Sequence, residues 1–194
     1  MASHFATLTC DIAIIGLGPV GATLANILGQ YGVSTIIFER DGATYHLPRA
    51  VAFDDEVMRI FQSIELANPI NDIVEVGEGV DFVDEDGIVL VNWNRPKVIS
   101  PNGWFINYRF YQPELERILR DGLLRYPSVE AFLHGEVFEL LEDSDGVNVE
   151  FKDMKTGTSG KIRSAFVIGC DGARSFTRDK IGKGFEDLGE RLTK

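Results

Sequence analysis

Gly16, Gly18 and Gly21 make a Gly-x-Gly-x-x-Gly run, and Glu39 follows the first of them at about the 20-residue spacing at which an acid meets a ribose diol. Such a set binds phosphate and ribose. Gly16 permits a tight turn, Gly18 lets the backbone approach a pyrophosphate with no Cβ in the way, and Gly21 lets the following helix lie close on its strand. Pro19 and Val20 stand at the start of that helix, whose free N–H groups and positive dipole end would face the phosphate. These residues read as an adenine dinucleotide site. A second glycine-rich stretch, Gly169-Cys170-Asp171-Gly172-Ala173-Arg174-Ser175, follows the apolar run 165–168. An acid at the carboxyl end of a buried strand lies where open α/β sheets hold ligands. The plain structural role for Asp171 is a helix N-cap before Ala173.

The elements that must position these groups follow from periodicity. An apolar run (12–15) leads into the glycines, a helical pattern follows, and a second apolar run (33–38) ends on Glu39. No charged residue occurs from Ile12 to Phe38, which raises a membrane span of about 20 apolar residues. Gly, Pro, Asn and Gln interrupt the run and no Lys or Arg precedes it, so a buried strand and helix are expected, with neither signal peptide nor anchor. Beyond a turn-rich loop to Pro48, the positions Val51, Val57, Met58, Ile60, Phe61 and Ile64 predict one amphipathic helix with Asp54, Asp55 and Glu56 in its first turns. From Gly79, alternation predicts a hairpin, with Val80 and Phe82 before an Asp84-Glu85-Asp86-Gly87 turn and Ile88, Leu90 and Trp93 after it. An aromatic strand over 104–111 is expected next. Pro113 opens a second helix with Leu115, Ile118, Leu119, Leu123 and Leu124 as its apolar stripe. Strands over 129–133, 136–141, 147–151 and 161–168 then predict a β-meander on an α/β core.

Composition narrows the partners. The 194 residues carry 19 Lys and Arg against 30 Asp and Glu, a net charge of −11 with the basic residues scattered. That leaves no footprint for nucleic acid or a membrane surface and points to small molecules. Cys10 and Cys170 form no C-x-x-C pair. On parallel neighbouring strands one begins its strand and the other ends its own, too far apart for a disulfide, so reduced thiols and a cytoplasmic location are expected. His4, His46 and His134 have no ligand spacing, and no metal site is expected.

Together, Gly16-Leu17-Gly18-Pro19-Val20-Gly21, Glu39-Arg40, Pro48-Arg49-Ala50, Gln112-Pro113-x-Leu115-Glu116 and the stretch from Gly169 to Ser175 resemble the FAD-dependent aromatic hydroxylases typified by para-hydroxybenzoate hydroxylase, in particular the branch of 3-(3-hydroxyphenyl)propionate hydroxylase. The resemblance covers nearly the whole chain. It implies an α/β fold, a Rossmann-like FAD-binding domain over 1–194 with a β-meander, in which 79–108 contributes strands to a substrate-domain sheet. It implies that Gly16, Gly18, Pro19, Val20 and Gly21 hold the FAD pyrophosphate and that Glu39 holds the adenosine ribose with Arg40 beside it. Arg40 would also suit the 2′-phosphate of NADP, but Glu-Arg is common in this family. Arg49 would approach the phosphate or ribose side of the cofactor, where a guanidinium forks onto phosphate oxygens. Gln112 would contact FAD, and Asp171 would take part in both FAD and NAD(P)H binding. The implied activity is hydroxylation of a phenolic or other small aromatic substrate with O2 and NADH or NADPH. The flavin carries that chemistry and the protein supplies position and environment, so no catalytic residue is assigned. Trp93, Trp104, Phe105 and Tyr108 become candidate pocket neighbours, with ordinary core packing the favoured role for any one of them.

Members of that family run to twice this length or more, and their second Gly-Asp motif belongs to the later part. The chain is therefore expected to hold the adenosine half of the site and to be incomplete as an isolated oxygenase. The alternative is a stand-alone adenine-dinucleotide module, for FAD or NAD, without oxygenase activity. An NAD(P)-dependent reductase is disfavoured because no Tyr-x-x-x-Lys pair or other hydride-transfer set follows the glycines. Uncovered sheet and helix faces predict weak solubility, a homo-oligomer, or a missing C-terminal half that covers them.

Overall fold

The computed structural model describes residues 8–44, 49–184, 186 and 189. In chain order the elements are β1 (Leu8–Ile15), α1 (Pro19–Gln30), β2 (Thr35–Glu39), β3 (Ala52–Phe53), α2 (Asp55–Ser63), α3 (Ala67–Asn71), β4 (Glu75–Val76), β5 (Gly79–Val83), β6 (Val89–Asn94), β7 (Tyr108–Arg109), α4 (Gln112–Gly122), β8 (Val129–Leu133), β9 (Gly135–Asp143), β10 (Gly146–Asp153), β11 (Ser159–Gly169) and α5 (Phe176–Lys180). They fall into two compact units. The first takes the described residues of Met1–Gly21, Val33–Gly42 and Glu130–Lys194, and the second takes Ala22–Gly32 and Ala43–Val129.

The first unit is built on a six-stranded sheet in the order β8-β2-β1-β11-β10-β9. β1 runs parallel to β2 and to β11, with Ile15 opposite both Phe38 and Gly169, as the apolar runs predict. β9, β10 and β11 form the expected meander, and β11 is long enough to pair with β10 at its start and with β1 at its end. Asp side chains close its turns. Asp143 Oδ1 accepts the N–H of Asp145 at 2.9 Å, and Asp153 Oδ1 accepts those of Lys155 and Thr156 at 2.7 and 3.2 Å. Asp143 also takes the Arg163 guanidinium, whose hydrogen bonds bring its carboxyl down to about 2.

β8 departs from the expected meander. It precedes β9 with only His134 between them, yet it occupies the opposite edge of the sheet beside β2. The reversal is made at His134, which adopts a left-handed φ of 64°. Phe38 stacks against Phe132 at 5.6 Å and packs on Phe151 at 4.8 Å, within a core that includes Cys10, Ala13, Ile15, Ile36, Val137, Val149 and Ile162. Full burial of a side chain such as Phe38 contributes about 1.5–3 kcal/mol. Both cysteines are free. Cys10 pairs with Ser164 while Cys170 lies beyond the end of β11. At about 3.3 Å per residue the two are roughly 20 Å apart along the strands, well past disulfide reach.

The second unit gathers α2, α3 and α4 with Met58, Phe61, Ile64, Ile70, Tyr108, Leu115 and Leu119 buried. Here the sequence expectations need three corrections. The helix expected from Val51 begins only at Asp55. Asp54 caps it, accepting the Val57 N–H at 3.0 Å, and ahead of the cap Ala52 and Phe53 form β3. Their pairing with Arg109 and Tyr108 of β7 is non-local and outweighs the helical period. The aromatic strand expected over 104–111 contracts to β7, which joins β3 and β4 in a three-stranded sheet, while β5 and β6 pair only with each other. Tyr108 is therefore core and not a pocket wall. It is fully buried, Phe53 stacks on it at 5.3 Å, and its phenolic oxygen accepts the Phe105 N–H at 3.0 Å. Finally, α4 ends at Gly122 and a 3-10 turn follows, so Leu124 is 87% exposed and leaves the apolar stripe.

Asn26 ties this unit together from inside. Its Nδ2 donates to the carbonyls of Ala22 and Leu119, each at 2.8 Å, and its Oδ1 accepts from Arg125 at 3.0 Å. Gly122 is small because α4 passes Asn26 there: an added Cβ would sit 2.7 Å from Asn26 Oδ1.

Candidate functional site

β1 delivers the chain into the glycine loop, and the three glycines prove to have different reasons to be there. Gly16 has a φ of 101°, and a Cβ on it would run into the carbonyl oxygen of Cys170. A Cβ on Gly21 would run into the carbonyl oxygen of Gly16. The fold itself requires both. Gly18 has no left-handed backbone, and a Cβ added there meets nothing within 4 Å. Packing makes no demand for glycine at that point. The space over it lies at the start of α1, where Pro19 is the first helical residue and Val20 is 70% exposed. An uncovered backbone beside a helix N-terminus fits a pyrophosphate.

Glu39, the last residue of β2, is tied into this loop. Its Oε2 accepts the N–H of Leu17 at 2.9 Å and its Oε1 accepts that of Asp41 at 3.0 Å. A carboxylate offers about four acceptor directions, so acceptor capacity for a diol remains. The Leu17 contact was invisible in the sequence because a backbone N–H leaves no mark on residue type. Arg40 is exposed, with its Nε 3.8 Å from the Asp41 carboxylate.

Asp171 lies just past β11 and braces α5. Oδ1 accepts the Ser175 hydroxyl at 2.6 Å, and Oδ2 accepts the Thr177 N–H at 3.0 Å and its hydroxyl at 3.2 Å. Burial pushes this carboxyl up, but the hydrogen bonds from Ser175 and Thr177 together outweigh it and leave the group below its ordinary value. The cap itself is Ser175, whose hydroxyl accepts the Arg178 N–H at 2.9 Å, so the helix starts at Phe176 and not before Ala173. The signal was present in Ser175, a favoured cap residue directly ahead of an apolar one.

Arg49 and Gln112 belong to the second unit and meet there. Gln112, the first residue of α4, accepts the N–H groups of Arg49 and Ala50 at 2.7 and 2.9 Å through Oε1. Its Nε2 donates to Glu116 Oε1 at 2.8 Å. Glu116 was named in the sequence only as part of the Gln112-Pro113-x-Leu115-Glu116 stretch, with no role, although its position one turn after Gln112 carried the signal. Pro48, His4 and His46 lie outside the described residues. Among the described residues no group of three or more His, Cys, Asp or Glu is placed to hold a metal ion, and no helix is long and apolar enough to cross a membrane.

Known proteins resemble this arrangement in sequence and in fold. The chain is 37% identical over 92% of its length to a probable NADH-specific resorcinol 4-hydroxylase of Rhodococcus jostii, covering 34% of that protein. It is 34% identical over 93% of its length to a 3-(3-hydroxy-phenyl)propionate/3-hydroxycinnamic acid hydroxylase of Paraburkholderia xenovorans, covering 28% of it. The chain thus spans about a third of the length of the relatives it matches, or less. In fold it superposes on the p-nitrophenol 4-monooxygenase PnpA of Pseudomonas putida with a TM-score of 0.81 at 24% identity, over 90% of this chain and 44% of that one. The flavin-dependent monooxygenase PieE, solved with FAD and substrate, gives 0.80 at 24% identity, over 90% of this chain and 32% of that one. The match to the FAD binding domain family runs over residues 9–192, taking in nearly every element described above, and the chain therefore belongs to that family.

Proposed function

We propose that this chain is the FAD-holding portion of a flavoprotein monooxygenase that hydroxylates a phenolic substrate with O2 and a reduced nicotinamide. The observation that carries the proposal is Gly18, whose small size the packing leaves unexplained and an approaching pyrophosphate explains. In this reading Gly16, Gly18, Pro19, Val20 and Gly21 form the pyrophosphate cradle, and Glu39 takes the adenosine ribose while steadying the loop through Leu17. Arg40 stands beside the ribose, Asp171 orders the chain that follows β11, and the family resemblance extends cofactor roles to Arg49 and Gln112. FAD supplies the oxygen chemistry when bound. The names of the two relatives point to a resorcinol- or hydroxyphenylpropionate-like acceptor, and the first of them to NADH as donor. The segment 79–108 would give its hairpin to the substrate side, with Trp93, Trp104 and Phe105 as pocket neighbours. Two free thiols suit a cytoplasmic setting.

The test is the visible spectrum of the purified chain after desalting, with added FAD and then with NADH and resorcinol. A retained or titratable flavin band supports the proposal, and binding of NADH with no flavin binding would sink it. A second reading is a dinucleotide-binding module without turnover of its own, which the glycine loop and Glu39 suit equally. Phenol-stimulated NADH oxidation by the chain alone contradicts that second reading.

A further inference from the structure

Residues 99–105 make a closed loop in the second unit. Ile99 and Phe105 form an antiparallel bridge at its base, the Ser100 N–H donates to the Trp104 carbonyl at 2.8 Å, and Gly103 turns the tip with a φ of 83°. The loop buries little apolar surface of its own, since Ile99, Pro101, Asn102 and Gly103 are all exposed. Polar bonds must therefore decide where it lies. On its inner side the Phe105 N–H reaches the oxygen of the buried Tyr108 at 3.0 Å. On its outer side the loop is tied to α2. Asp55 Oδ2 accepts both the Ser100 hydroxyl and the Asn102 amide, each at 2.6 Å, and Gln62 Oε1 accepts the Trp104 indole N–H at 2.8 Å. Asp55 and Gln62 stand about two turns apart on one face of α2, so a single rigid element grips both the tip and the aromatic residue that follows it. Arg59 donates to the same Gln62 oxygen at 2.8 Å, which fixes the amide with its oxygen toward Trp104. The bonds at Asp55 are charge-assisted. Those from Ser100 and Asn102, with a smaller attraction from Arg95, hold its carboxyl below the ordinary value. Its other charged or titratable neighbours are Asp54 and Glu56 along α2 and the Tyr108 phenol of β7, which burial above all pushes up. An acid in the first turn of a helix is ordinarily accounted for by the helix dipole, which explains none of the bonds to the loop.

We propose that Asp55 is a positioning residue for Trp104 and Phe105: through Ser100 and Asn102 it latches the loop over 99–105 onto α2, and with Gln62 it sets the two rings where an aromatic ligand can pack. The latch lies wholly within the second unit, and its bearing on a ligand rests on the reading that Trp104 and Phe105 are neighbours of the substrate.

The test is nuclear magnetic resonance of the full chain, isotope-labelled at the indole nitrogens of its two tryptophans, Trp93 and Trp104, whose signals Trp104→Phe assigns. Asp55→Ala is expected to speed solvent exchange of the Trp104 indole N–H by about tenfold while Trp93 stays within about twofold. Ser100→Ala with Asn102→Ala should reproduce that change, and combining it with Asp55→Ala should change nothing further, because the two sides of one latch do not add. The same pair takes the place of Asp55→Ala should that variant unfold. The lowered Asp55 value means that the latch is at full strength above the ordinary carboxylate range and is lost as pH falls through the lowered value. From about pH 7 to pH 3 the wild-type Trp104 signal should therefore move toward that of free tryptophan, and in Asp55→Asn it should not titrate. A purely structural acid at the helix start would lower the unfolding midpoint and leave the Trp104 signal in place. Unchanged Trp104 exchange in Asp55→Ala overturns the proposal, and so do losses that add when both sides of the latch are changed. Resorcinol is expected to shift the wild-type Trp104 signal and to bind about fivefold more weakly to Asp55→Ala. Equal resorcinol affinity in the two chains overturns the proposal as well. A wild-type Trp104 signal that resorcinol leaves untouched overturns the substrate reading of the two rings, and the exchange rates still decide the latch.

Discussion

Gly16, Gly18 and Gly21 look alike in the sequence, and single substitutions separate them. Gly18→Val adds atoms to open space, so its unfolding free energy should stay within about 0.5 kcal/mol of wild type. Its FAD affinity should fall by about 100-fold, or about 2.7 kcal/mol. Gly16→Ala meets a φ of 101° and the Cys170 carbonyl, and should cost about 1–3 kcal/mol in urea unfolding whether or not ligand is present. Unchanged flavin affinity in Gly18→Val, measured by fluorescence titration, would reduce the loop to a turn. The acid that ends β2 also holds the loop through the Leu17 N–H. Glu39→Ala should speed hydrogen exchange at the Leu17 amide even without nucleotide, because that N–H loses its 2.9 Å acceptor.

Two carboxylate- and amide-centred networks decide where the elements end. Asp171 braces α5 through Ser175 and Thr177, and its carboxyl sits below the ordinary value of 3.8. A native value depressed below the unfolded one adds stability that is present in full above the unfolded value and lost as pH falls through the native one. Urea midpoints followed from about pH 7 to pH 2 should therefore drop at the acid end. Asp171→Asn should show a smaller acid drop and a lower midpoint at neutral pH. In the second unit Asn26 bonds Ala22, Leu119 and Arg125 from a fully buried position. Asn26→Ala takes the side-chain donor from the carbonyls of Ala22 and Leu119 and one of several acceptors from Arg125, and should cost about 2–3 kcal/mol in urea unfolding.

At the scale of the whole molecule, one face of the hairpin of β5 and β6 is apolar and exposed: Phe82 pairs with Val91 and Val80 with Trp93, and Phe82, Val91 and Trp93 are 51%, 55% and 53% exposed. Contiguous exposed apolar surface promotes association. The purified chain is expected to bind a hydrophobic dye such as ANS and to scatter light increasingly with concentration. Phe82→Ser with Val91→Ser should lower both signals and leave the thermal midpoint unchanged, since neither side chain contributes to a core. Equal dye binding in that variant would place the apolar surface elsewhere.

Residue type and spacing alone determined the βαβ unit, the glycine loop, the acid at its end and the meander that follows. Each of these is written in local periods and in short motifs that need no distant partner. Tertiary structure alone decided the rest, because pairing between strands far apart in sequence is set by which surfaces bury each other. It placed β8 at the far edge beside β2, turned Ala52 and Phe53 from helix into strand against β7, and moved Tyr108 from a pocket candidate into the core. It also showed that Gly16 and Gly21 answer to the carbonyls of Cys170 and Gly16, while a Cβ on Gly18 meets no atom of the described residues within 4 Å. The motif named three glycines, and only their surroundings set Gly18 apart from the two that the fold requires.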